Sequence, residues 1–348
     1  MSKDSTKNVV PTLADVARAA GVSSATVSRV LNQPSLVHDN TFQVVMQKVR
    51  ELGYHPNFGA RALASKRTHT IGIIIPSLDN YYYVKCLSAI EESLKDLRIS
   101  VLVATSNYNS AIERNQVDRL ISRGAEGILC FRDTTHADTD DTVISKTTPL
   151  ITIGSRACRG AMSMIGFNNR QAMAELALYA VAMGHKNIAY ITAHLNKNTF
   201  LFERLEGVQD ALRHSGISPS ELRLYETHST FDGGSDSFEK LMADDPTTTL
   251  VMCSNDILAV GVATKALSMK YSIPADLSIT GFYDLDIARV IEPKLTTVMV
   301  PIAQMGRRAA MAMVDFIVNN TMPTGSVLLE TRLCIRGTLA PPKQVECV

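Results

Sequence analysis

The chain has 348 residues, 45% of them hydrophobic and 20% charged, with a formal net charge of +1. That length supports two or three domains with sizeable cores and is too long for a small nucleic-acid-reading head alone. Six cysteines stand singly with no CxxC pair, the polar N-terminus lacks an apolar signal core, and no apolar run is long enough to span a bilayer. These features argue against a zinc site, a disulfide frame, secretion and membrane insertion, so a soluble cytoplasmic protein without a cofactor is expected.

The near-zero net charge conceals a split. Residues 1 to 70 carry nine Lys and Arg against four Asp and Glu, a net +5, and the remainder carries 26 against 30, a net −4. A basic head on a mildly acidic body suits a protein whose one end meets phosphates.

The first elements lie in TLADVARAAGVSSATVSRVLN, residues 12 to 32. Thr12 is a helix cap with Asp15 three residues on, Leu13, Val16, Ala17 and Ala20 form one apolar face, and Gly21 ends the helix. A second helix starts at Ser23 or Ser24, burying Val27, Val30 and Leu31 and presenting Ser24, Ala25, Ser28 and Arg29 on its other side. Two helices this short, joined by so tight a turn, pack steeply, and the second projects far enough to enter a major groove. Small side chains at its start let the backbone approach base edges, and hydroxyls suit phosphates or bases. The same pattern also fits an ordinary helical hairpin. A third helix is expected from about Asp39 to Leu52, with Phe42, Val45, Val49 and Leu52 on one side and Asp39 as its cap in place of His38.

The run DVARAAGVSSATVSRVLN, the later LGYHPN at 52 to 57 and GARALASKRTHTIGIIIP at 59 to 76 are together similar to the start of the lactose-repressor/galactose-repressor family of bacterial transcription regulators. The resemblance implies a three-helix helix-turn-helix head at 11–56, with DNA contacts at Thr12, Ser23, Ser24, Ala25, Thr26, Ser28, Arg29 and Asn32. It implies a hinge helix within 57–69 that pairs with its twin in a homodimer, with Asn57 and Arg61 at the DNA and Leu63 wedged into the minor groove of a double-stranded operator. A helix of this length is unstable alone, because nucleation costs more than a few propagated bonds return.

From Ile71 onward, apolar β-rich runs at 71–75, 100–105, 127–131, 149–153, 187–192, 249–253 and 277–282 alternate with helical periods. That alternation predicts an α/β body of doubly wound parallel sheets covered on both faces. The resemblance implies the two-lobed core of periplasmic sugar-binding proteins over residues 70–341. Lobe 1 is expected at about 70–165 with 301–325, and lobe 2 at about 166–300 with 326–341.

Ligands of open parallel sheets bind beyond the carboxyl ends of strands, which places an effector between the lobes. Family positions imply contacts from Tyr82 and Tyr83, although three adjacent tyrosines also suit core packing. They imply contacts from Arg204, whose rigid fork suits hydroxyls or a carboxylate, and from Asp256 at a helix start. Asn168 stands where many relatives carry an aspartate. Losing that charge favours a sugar acid or phosphorylated sugar over a neutral sugar. Phe231 is placed in the cleft on a loose correspondence.

The function expected is a dimeric, effector-controlled repressor of a sugar or sugar-acid catabolic operon, with a purine-type metabolite as the alternative effector. No GxGxxG follows the first strand, and no P-loop, GxSxG or metal-spaced histidine cluster is present. An enzyme on the same core is therefore the weaker reading, as is a solute-binding protein lacking a leader.

Overall fold

The computed structural model describes residues 11–56, 59, 62, 67–97, 99–131, 148–154, 163–195, 198–321 and 325–343. It separates into two compact units, residues 1–68 and 69–348. The expected hinge residues Asn57, Arg61 and Leu63 lie outside the described residues.

The first unit holds α1 (Leu13–Ala20), α2 (Ser24–Asn32) and α3 (Asp39–Leu52). Its core is Val16, Ala17, Val27, Val30, Val45 and Tyr54. In α1 the Thr12 and Asp15 side chains cap each other's backbone, and Gly21 turns the chain at φ +64°. Two expectations for α3 need correction. The cap is His38, whose Nδ1 accepts from Asn40 N at 3.4 Å, so Asp39 is free to sit in the first turn near the helix dipole. Leu52 is exposed, because Gly53 reverses the backbone at φ +61° and Tyr54, only 7% exposed, takes the core position instead.

The second unit contains two parallel sheets. The larger has the order β11-β5-β4-β3-β1-β2 and the smaller β7-β6-β8-β9. In the first, β1 (Thr70–Ile75), β3 (Gly127–Cys130), β4 (Leu150–Gly154) and β5 (Ser163–Gly166) are buried along their length, while β2 (Ser100–Thr105) and β11 (Gly325–Leu328) form its edges. Two helices, α4 (Tyr81–Leu94) and α11 (Ile302–Asn319), pack against each other beside it, and α5 (Ser110–Ser122) packs against β1 and β2. Because β11 pairs with β5 through Leu328, the first lobe extends past the expected boundary at 325.

The second sheet joins β6 (Ile188–Ala193), β7 (Arg223–Thr227), β8 (Leu250–Cys253) and β9 (Ser278–Thr280). Around it lie α6 (Asn169–Ala182), α7 (Thr199–His214), α8 (Phe231–Asp244), α9 (Asp256–Ser268) and the single turn α10 (Ile287–Val290). Two helix pairs approach backbone to backbone through glycine. A Cβ on Gly207 of α7 would lie 2.2 Å from the Arg170 carbonyl of α6, and one on Gly261 of α9 would lie 2.0 Å from the Phe231 carbonyl of α8. A short antiparallel ribbon of β10 (Thr297–Met299) and β12 (Arg332–Cys334) completes the unit. The chain thus passes between the lobes three times, after β5, between β10 and α11, and between β11 and β12.

One local rule recurs where strands run into helices. Asn80, Asn109, Asn168, Asn198 and Asn255 cap α4, α5, α6, α7 and α9, each accepting from a first-turn backbone N–H. Asparagine satisfies the orphan donors of a helix start without adding charge. These caps all stand just beyond the carboxyl ends of β1, β2, β5, β6 and β8, where ligands of such sheets bind.

Candidate functional site

In the first unit, α2 begins with Ser23, whose hydroxyl accepts from Thr26 N at 3.1 Å and meets the Thr26 hydroxyl at 2.9 Å. Ser24, Ala25, Arg29 and Asn32 are exposed, whereas Thr26 and Ser28 are half-buried. The Asn32 amide donates to the Ser28 carbonyl at 2.9 Å, folding that side chain along its own helix. The Thr12 hydroxyl is engaged by Asp15 at 2.6 Å. An exposed edge of small and hydroxyl side chains with the Arg29 guanidinium remains, opposite the face that Val27 and Val30 bury. Such an edge can approach a duplex groove closely.

In the second unit, the loops after β1, β2 and β3 in lobe 1 meet the start of α7 in lobe 2. They enclose a cavity of about 30 Å³ whose wall includes Tyr83, Tyr108, Asn109, Glu113, Phe131 and Phe200. Ligand pockets run from roughly 300 Å³ upward, so the protein's own side chains fill most of this space. Tyr82 and Tyr83 are both buried and meet Phe131 edge-on, with centroids 5.9 and 5.2 Å away. Burial pushes both phenols well above their usual range, so they are neutral hydrogen-bonding groups. The Tyr82 hydroxyl has no hydrogen-bond partner.

Arg204 is 1% exposed. Its Nε donates to Asn169 Oδ1 at 2.8 Å, one terminal nitrogen to the Ser254 carbonyl at 2.6 Å, and the other to the Tyr283 hydroxyl. Its guanidinium lies 4.1 Å from the Phe282 ring centroid and 4.4 Å from that of Tyr283. A cation this deep normally finds a carboxylate, yet its three hydrogen-bond partners among the described residues are neutral oxygens, and two ring faces add electrostatic support.

Asp256 is fully buried, and both its oxygens are used within lobe 2. One accepts from Leu285 N at 2.7 Å and the other from the Thr297 hydroxyl at 2.6 Å. Burial pushes its pKa up to about 7. Its place is thus in holding the loop after β9. Asn168 is exposed, with its Oδ1 accepting from Gln171 N at 3.0 Å, and the neighbouring Asn169 is the residue that reaches Arg204. Phe231, at the start of α8, is 47% exposed and does not line the cavity.

Sequence reasoning overlooked Asn169 and Tyr283. The signal for Tyr283 was its position directly after β9, in a strand-end loop of the kind that holds ligands. Among the described residues no group of His, Cys, Asp and Glu is placed to hold a metal, and no helix is long and apolar enough to cross a membrane.

A helical DNA-reading head followed by a two-lobed core with a polar site between its lobes defines a ligand-responsive DNA-binding regulator. Residues 12–57 match the model for bacterial regulatory proteins of the lacI family, and residues 177–339 match a periplasmic binding protein-like domain. The chain is 30% identical over 298 residues to the HTH-type transcriptional regulator DegA of Bacillus subtilis, covering 85% of this chain and 88% of that protein. A LacI-family transcriptional regulator from Silicibacter pomeroyi superposes with a TM-score of 0.84 at 27% identity, covering 95% of this chain and 99% of that one. Another, from Enterococcus faecium and solved with bound ribose, gives a TM-score of 0.69 at 25% identity over 79% of this chain and all of that one. The chain belongs to the lacI family of bacterial regulatory proteins and is a DNA-binding transcriptional regulator.

Proposed function

We propose that this regulator is a homodimeric repressor whose α2 reads the major groove of each operator half-site, and whose effector is an anionic sugar derivative held between the lobes. It carries out no catalysis. The observation that carries the effector class is Arg204, a buried guanidinium whose three hydrogen-bond partners among the described residues are neutral oxygens. A carboxylate or phosphate arriving there gains a charge-assisted hydrogen bond where water screens poorly. On the lobe 1 side, Tyr83, Tyr108 and Phe131 line the cavity, and their aromatic faces suit the apolar side of a sugar. The ribose seen in the Enterococcus relative supports the sugar class. Asn57, Arg61 and Leu63 are proposed at the hinge on the family pattern alone.

The direct test is a matched series of D-glucose, D-gluconate and D-glucose 6-phosphate, measured by calorimetry on the full chain and on Arg204→Ala. Binding of at least one anionic member, lost in the variant, is expected. Glucose binding as tightly as both anions would overturn the reading. On the DNA side, a gel shift with the protein's own promoter at about 50 and 200 mM salt should show the steep salt dependence of phosphate contacts.

A further inference from the structure

We infer that Tyr283 is a tethered surrogate ligand: its phenol occupies the Arg204 fork and its ring bridges the two lobes, so an effector must displace it to bind. The inference rests on the reading of the interlobe cleft as the effector site.

Four independent features converge on this side chain. Its hydroxyl takes one of the three hydrogen bonds of the buried guanidinium, whose plane also lies over its ring. The ring also stacks on Tyr82 of lobe 1, with centroids 5.0 Å apart and planes inclined by 22°. Tyr283 therefore contacts both a cation on one lobe and an aromatic face on the other, as a bound small molecule would. Arg204, Tyr82 and Tyr283 are all buried, so a sugar reaching the guanidinium requires a side chain to leave.

The backbone shows that this placement is imposed. Tyr283 has φ +109° and Asp284 has φ +55°, two successive non-glycine residues in a region that L side chains avoid. Such geometry persists only when the surroundings over-determine it. Here Asp284 is 4% exposed and gripped by Arg289 and Arg336, each at 2.6 Å, and Leu285 N is held by Asp256 at 2.7 Å. Those anchors hold the two residues that follow Tyr283 and so fix the backbone that presents it. The Tyr82 hydroxyl, buried and without a partner, shows that the surrogate meets the site's polar requirements incompletely. An effector that pairs with it gains what Tyr283 does not supply.

The experiment uses the full chain and small-angle scattering. Tyr283→Gly removes the phenol and is compatible with the left-handed backbone. Its radius of gyration should exceed that of the parent protein, and p-cresol, the excised side chain as a free molecule, should restore it. Toluene, lacking the hydroxyl, should need about tenfold more to do so. The parent protein should not respond to p-cresol. As a second arm, Tyr82→Ala removes the facing ring and leaves the hydrogen bonds of Arg204 in place; it too should enlarge the particle. An unchanged radius in both variants, or toluene acting as well as p-cresol, overturns the inference. Because no candidate effector enters this experiment, its failure leaves the sugar-series result standing, and failure of that series leaves this one standing.

Discussion

Asp256 makes the stability of the core pH-dependent in a direction opposite to that of an ordinary paired carboxylate. Burial raises its pKa from 3.8 to about 7, outweighing the hydrogen bonds from Thr297 and Leu285, and the nearby Asp284 adds to the rise. Between about pH 4 and pH 7 the folded chain therefore keeps a proton that the unfolded chain has released. The associated stability is fully present below the unfolded pKa and is lost as pH rises through about 7. A shift of about three units at 1.36 kcal/mol each sets a ceiling of about 4 kcal/mol over the whole window. Integrating only from about pH 5.5 to 8.5 leaves about 2 kcal/mol. Asp256→Asn keeps the shape and one acceptor while removing the titration. Urea unfolding of both proteins across that range should show the variant gaining about 2 kcal/mol on the parent as pH rises. All other titrating groups are shared and cancel in the difference. Parallel profiles, or the parent gaining on the variant, would refute the reasoning.

Three further outcomes follow from the packing and the exposed head. Gly207→Ala forces α6 and α7 apart, because a Cβ there would lie 2.2 Å from a backbone carbonyl that has no rotamer to change; a loss of about 1–3 kcal/mol is expected in calorimetric melting. Tyr82→Phe removes a buried hydroxyl that has no partner, so the effector-free protein should be unchanged or gain up to about 1 kcal/mol in the same assay, and clear destabilisation would show an unrecognised bond. Arg29→Ala should weaken promoter binding and lower the slope of log affinity against log salt by about one, if the exposed guanidinium meets a phosphate.

The layout of the fold was legible where side-chain pattern dictates it. Buried central strands such as β1 and β8 read as continuous apolar runs, and the caps at Thr12 and Ser23 were visible from residue type alone. The strands that escaped notice were β5, β7, β10, β11 and β12. Of these, β7 is a largely exposed edge whose pattern is mostly polar, and β5, β10, β11 and β12 are only three or four residues long. At the candidate site, the residue types of Arg204 and the paired tyrosines marked them out in the sequence as candidates. The orientation of Asp256, and the choice of Asn169 over Asn168 as the partner of Arg204, depend on which side of a helix start faces inward. Tyr283 was hidden because its conformation, φ +109°, is set by distant anchors at Arg289, Arg336 and Asp256.

The five asparagine caps leave the helix starts around the cleft without an ionisable cap. Aspartate in those positions would have ringed the site with fixed negative charge, because a carboxylate that accepts first-turn N–H bonds at a helix start stays ionised well below neutral pH, and that charge would repel an anion. Amides do not ionise, so the electropositive rim that these helix ends offer stays constant across the physiological range.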